Sequence, residues 1–97
     1  MAATTFHVTV LTPERTVFEG EGVHLLAPGS EGYLGVLAHH APLLASLGRG
    51  VLSVRTSDGV EHRFRTPGGF LEVSDNRATV LADACEPLSG ADRAAAE

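Results

Sequence analysis

Apolar and polar residues alternate in short runs along most of the chain. Phe6, Val8 and Val10 share one face at period two, which predicts a strand over 6–11. Thr12-Pro13-Glu14-Arg15 follows as a turn, with proline presetting φ at its second position. A second strand is predicted over 16–21, with Val17 and Phe18 its only large apolar residues. Gly20 and Gly22 around Glu21 suggest a bulge or bend there. A third strand over 23–27 ends at Pro28-Gly29, read as a turn pair. Apolar runs at 34–37 and 43–47 are separated by a break at 39–42. Residues 51–56 and 60–66 flank Ser57-Asp58-Gly59, a strong hairpin signal. Further strands are predicted at 70–73 and 78–84, joined by the polar turn 74–77. Strand-length runs with a turn every eight to twelve residues predict an all-β fold, a two-sheet antiparallel sandwich of about ten strands.

The last residues break this pattern. Ser89-Gly90-Ala91-Asp92 has the spacing of a capping box, and Arg93-Ala94-Ala95-Ala96-Glu97 favours helix. The expected organisation is therefore a β-domain over 1–87 and the short start of a helical segment over 88–97.

Composition narrows the function classes. The 97 residues suit one domain with one core. The formal charge is −5 and no basic cluster occurs, which argues against a nucleic-acid partner. One cysteine, Cys85, cannot form an intrachain disulfide, and its neighbours Asp83 and Glu86 do not favour a thiolate. The N-terminus lacks the basic and apolar regions of a signal peptide, and no apolar run reaches the roughly 20 residues that span a bilayer.

The most informative stretch is Ala27-Pro28-Gly29-Ser30-Glu31-Gly32-Tyr33-Leu34-Gly35, followed by His39-His40-Ala41-Pro42-Leu43-Leu44. Three glycines at spacing three imply a loop of specified shape, the kind of element that carries function on a rigid scaffold. It is not a phosphate cradle: a Walker loop needs a lysine, and all seven basic residues are arginines. A charge, an aromatic and an aliphatic between glycines suit an interface instead. Five histidines invite a metal reading, but adjacent histidines on an extended chain point to opposite faces, and no local ligand spacing is present. Glu72 and Asp83 read as outward-facing strand charges, and no catalytic constellation stands out.

Four segments together resemble the epsilon subunit of F-type ATP synthases, in its N-terminal β-sandwich domain. They are residues 6–14, residues 27–37, His40-Ala41-Pro42-Leu43-Leu44, and Gly68-Gly69-Phe70-Leu71-Glu72-Val73 with Val80-Leu81-Ala82-Asp83. The resemblance implies a non-catalytic rotor subunit that needs no cofactor and binds no metal. It would link the gamma subunit to the membrane c-ring and couple ion-driven rotation to ATP synthesis. It implies that Ser30, Glu31, Gly32, Tyr33 and Leu34 contact the c-ring, and that Thr12, His40, Ala41, Pro42, Leu43 and Leu44 contact gamma. It further implies one copy per complex, held peripherally on the cytoplasmic side of a bacterial membrane. Family members continue into a two-helix domain that can brake hydrolysis and, in some, binds ATP. Here Asp92 directly precedes Arg93-Ala94, a spacing unlike the family's ATP-related pattern, so neither braking nor ATP binding is expected. His39 stands where the family usually has glycine. The rival reading is a small metal-binding β-barrel protein or enzyme using the histidines.

Overall fold

The computed structural model describes residues 4–88. Ten strands follow in order: β1 (Phe6–Leu11), β2 (Thr16–Gly22), β3 (His24–Gly29), β4 (Gly32–Val36), β5 (Leu43–Leu47), β6 (Gly50–Arg55), β7 (Glu61–Thr66), β8 (Gly69–Ser74), β9 (Arg77–Ala82) and β10 (Glu86–Pro87). The helical segment expected over 88–97 lies, apart from Leu88, outside the described residues.

The strands form one continuous sheet, ordered β10-β7-β6-β3-β5-β8-β9-β1-β2, with β4 on β3. It folds over at β3 into two leaves. His24, Leu25 and Leu26 of β3 pair with β6, whereas Gly29 at its far end pairs with Leu47 of β5. The leaves of the expected sandwich are thus hydrogen-bonded to each other at this corner. One pairing departs from the antiparallel expectation: β1 runs parallel to β9, from His7↔Arg77 to Leu11↔Leu81.

The core is what period-two alternation selects. Phe6, Val8 and Val10 of β1 meet Leu25 and Ala27 of β3, Leu52 and Val54 of β6, and Leu71, Val73, Ala78 and Val80 of β8 and β9 in one buried cluster. Phe18 of β2 packs at a tilt against His62 and edge-on against Phe64 of β7, with ring centroids 5.0 and 6.2 Å away.

Three local expectations need correction. The irregularity in β2 is not at Gly20–Gly22, which pair in register with Phe6–Val8; it lies where Val10 opposes Phe18 and Leu11 opposes Thr16, leaving Val17 as the extra residue. Strict alternation would send Val17 and Phe18 to opposite faces. With the bulge, both pack against the core. Pro28-Gly29 does not end β3 but continues it, and the turn falls at Ser30-Glu31. Proline fits there because β3 has no continuous partner on its β6 side at that point, so no ladder bond is lost. Finally, the sequence carries no signal for β10, whose two residues pair with Arg65 and Phe64.

The turn between β8 and β9 is a two-residue hairpin with Asp75 at φ 53° and Asn76 at φ 58°, the geometry matched to strand twist. Asn76 also ties three segments together. Its Oδ1 accepts from His39 N at 2.7 Å, its Nδ2 donates to the Thr5 carbonyl at 2.9 Å, and its own carbonyl accepts from His7 N at 3.1 Å.

Candidate functional site

The glycine-rich stretch is a β-hairpin rather than an irregular loop. Gly29↔Gly32, Pro28↔Tyr33, Ala27↔Leu34, Leu26↔Gly35 and Leu25↔Val36 pair across it, leaving Ser30 and Glu31 at the tip. Gly32 takes φ 131°, a conformation that a side chain resists and that closes the turn. The tip is anchored to the other leaf: Gly48 N donates to the Pro28 carbonyl at 2.7 Å, and Ser30 N to the Ser46 carbonyl at 3.0 Å. A shallow open cavity of about 430 Å³ lies between the hairpin and Ala45 and Ser46 of β5, and Ser30, Glu31, Gly32, Tyr33 and Leu34 all line it.

The five residues expected at a ring contact are therefore neighbours in space, but not equivalent. Tyr33 and Leu34 are consecutive in a strand and face opposite ways. Leu34 pairs with buried Ala27 and packs against the core, whereas Tyr33 is 56% exposed on the outer surface. The Tyr33 hydroxyl accepts from Val51 N at 3.1 Å. Ser30 and Glu31 are exposed at the tip.

The second set of expected contacts divides in the same way. Leu43 packs against the core and Leu44 is 73% exposed. Ala41 and Pro42 are exposed ahead of β5, and His40 Nδ1 donates to the Ala41 carbonyl at 2.7 Å. His39 adopts φ 62°, the left-handed conformation that glycine takes freely, and its N–H bond to Asn76 holds it there. Thr12 spends its hydroxyl on its own turn, donating to the Arg15 carbonyl and accepting from Arg15 N.

Between Thr12 and Leu44 lies an apolar surface that sequence reasoning missed. Phe70 and Leu81 are 53% and 49% exposed, and they pair with each other and with Leu11 across β8, β9 and β1. With Thr12 and Pro13 they line a groove of about 360 Å³. Leu44 is one ladder step away, opposite Glu72 on β8. The available signal was alternation: Phe70 and Leu81 sit out of phase with the buried Leu71, Val73, Val80 and Ala82.

The histidines are dispersed. His7 on β1 has Nε2 3.0 Å from Glu19 and Nδ1 3.1 Å from Glu21, so its two ring nitrogens face separate carboxylates. The Glu21 hydrogen bond, then that of Glu19, raises its pKa, and the Glu21 pKa is lowered by His7 and by the hydroxyl of Thr5. His24 is on β3, His62 packs at a tilt against Phe18, and His39 and His40 lie beyond β4. Among the described residues no three His, Cys, Asp or Glu side chains are grouped to hold a metal ion. Cys85 is half-buried, and burial pushes its thiol up, away from thiolate reactivity.

The profile of the family described as ATP synthase, Delta/Epsilon chain, beta-sandwich domain matches residues 5–88, all ten strands. The chain belongs to that family. It is 49% identical over 86 residues to the ATP synthase epsilon chain of Syntrophomonas wolfei, a match that covers 89% of this chain and 63% of that protein. It is 43% identical to the epsilon chain of Pelotomaculum thermopropionicum over 97 residues, covering 100% of this chain and 72% of that one. The chain thus spans a little under two thirds of the first of these relatives. Among solved structures, a chain of the Euglena gracilis mitochondrial ATP synthase, from its OSCP/F1/c-ring assembly, superposes with a TM-score of 0.82 at 21% identity, covering 96% of this chain and 61% of that one. A chain of the Tetrahymena thermophila mitochondrial central stalk and c-ring gives 0.71 at 24%, covering 81% and 63%. At these identities the superpositions establish the shared fold.

Proposed function

We propose that this chain is a non-catalytic rotor subunit of an F-type ATP synthase, joining the gamma subunit to the c-ring on the cytoplasmic side of a bacterial membrane. The observation that carries this reading is family membership across every described strand, with epsilon chains among the relatives. The two surface regions supply the contacts such a linker needs. The β3–β4 tip, with Ser30, Glu31 and the Tyr33 ring, is the ring-facing edge. Thr12, residues 40–44 and the exposed apolar side chains Phe70 and Leu81 form the gamma-facing surface.

The mechanism is mechanical. A linker transmits torque only if it deforms little between its contacts. Here backbone hydrogen bonds run unbroken from one surface to the other, through β3, β5, β8, β9 and β1. The close-packed core between the leaves resists shear. Relative rotation of gamma and ring is then passed on instead of being absorbed.

Co-expression with the gamma subunit and c-ring of the same genome tests the reading. Copurification of a three-part complex is expected, and failure to bind either partner would overturn it.

A further inference from the structure

The outer end of the β3–β4 hairpin has an unusual support. The β3–β6 ladder ends at Leu26↔Ser53, so β3 beyond that point has left β6 for β5. Val51, two residues back along β6, still directs its N–H towards the gap. The group that fills it belongs to β4: Tyr33 reaches over Pro28, its partner across the hairpin, and its hydroxyl takes the Val51 N–H at 3.1 Å. Pro28 beneath is fully buried.

Gly50 makes the crossing possible. A Cβ at that position would lie 2.6 Å from Pro28 Cβ and 2.7 Å from the Tyr33 hydroxyl. No side chain fits without expelling the phenol. Tyr33, Pro28 and Gly50 are thus fitted to one another, although they come from three different strands.

We infer that Tyr33 is a positioning residue, a clasp that holds the Ser30-Glu31 tip in the pose from which it docks. The inference rests on the proposed ring-docking reading and gives Tyr33 a different part in it. Its ring face is available to a partner, but its hydroxyl is committed to its own chain. The tip has two backbone ties to the other leaf, through Pro28 and Ser30. Both act on β3. The phenol ties β4, which otherwise pairs only with β3 among the described residues. Leu34 and Val36 hold the inner face of β4 against the core, and the phenol pins its outer face at the tip end. Without it that end of the hairpin gains play and carries Glu31 with it.

The test is Tyr33→Phe, which keeps the ring and deletes the hydroxyl, studied beside Gly50→Ala, which keeps the hydroxyl but takes its space. Each should accelerate hydrogen exchange at the Val51 amide by about tenfold or more, because that amide loses its acceptor. Each should weaken binding to the purified c-ring of the same enzyme by about fivefold, the equivalent of one net hydrogen bond. Gly50→Ala also presses on the Cβ of Pro28 and should cost more than Tyr33→Phe, and the double variant should be little worse than Gly50→Ala alone, since the phenol contact is lost only once. Gamma binding should be unchanged, an outcome that separates positioning from general destabilisation. Unaltered Val51 exchange in Tyr33→Phe would overturn the clasp. Faster exchange with undiminished ring affinity would overturn its positioning role. If the wild-type chain itself does not bind the ring, the docking reading falls and the positioning role with it, while Val51 exchange still reports whether the clasp forms.

Discussion

The hairpin tip and the outer apolar surface are built on opposite principles. The tip is contiguous in sequence and its shape is set by backbone: a glycine where a Cβ would strike the Gly32 carbonyl, another at positive φ, a proline at a strand junction, and one carbonyl and one N–H bonded to the other leaf. The apolar surface is assembled from β1, β5, β8 and β9, and its shape is set by side chains standing out of a regular ladder. A backbone-defined contact is specific in geometry and modest in area. A side-chain-defined contact offers area and tolerates small shifts. That contrast suits the proposed docking of the tip on a repeating ring and of the face on one stalk.

The largest expected effect breaks the apolar surface alone. Phe70→Asp with Leu81→Asp should weaken gamma binding by about 100-fold or more, since central aromatic and aliphatic anchors dominate such interfaces. The melting temperature should fall by some degrees with the domain still folded, because the side chains are only half buried but the two aspartates would face each other across the ladder. Calorimetric titration against gamma measures this, and retained affinity would remove Phe70 and Leu81 from the interface.

Stability separates the two regions next. Leu34→Ala in the hairpin should cost about 2 kcal/mol, as for other packed leucines, while Leu44→Ala on the outer surface should stay within about 0.5 kcal/mol. Urea unfolding compares them. Equal losses would mean that Leu34 does not share the core. The same burial makes Leu34→Asp a poor probe of docking, because it would unsettle the fold as well.

The His7–Glu19–Glu21 cluster stands on the outward face of β1, at the end of the strand opposite Leu11, and sharpens the comparison as a control. His7 has a raised pKa, so its contribution is complete below the ordinary histidine value of 6.5 and is lost as pH rises through the raised value. Glu21 has a lowered pKa, so its contribution is present above the ordinary carboxylate value of 4.5 and is lost as pH falls through the lowered one. The pair therefore helps most between pH 4.5 and 6.5. His7→Gln should lower the melting temperature in that window and leave it nearly unchanged at pH 9. An equal loss at both pH values would show that charge is not the cause. Binding at either surface should not follow this titration.

Glu31→Gln should have the smallest effect. As an exposed charge at a tip it should change ring affinity by about threefold at most, mainly through the association rate and more at low salt. A loss of a hundredfold would mean that the carboxylate is buried against a partner cation.

Local pattern determined a good deal of this protein. The alternation of Phe6, Val8 and Val10, the Asp58-Gly59 turn and the spacing of Gly29, Gly32 and Gly35 depend on neighbours a few residues away, and each corresponds to an element or a turn in the structure. That residues 30–34 are neighbours in space follows for the same reason, since they are consecutive in one hairpin. What tertiary structure decided are the features made by residues far apart in the chain. These include the parallel β1–β9 pairing, the bulge at Val17 that lets Phe18 reach β7, and the strand at Glu86–Pro87. The meeting of Phe70 with Leu81 belongs here too, since alternation marks each as outward-facing but neither strand shows that the two will stand side by side. So does the reach of Tyr33 across Pro28 to Val51. In the sequence Tyr33 is an aromatic between glycines, equally suited to meeting a partner. It is a clasp because β3 leaves β6 early and because Gly50, 17 residues further on, carries no side chain to block it.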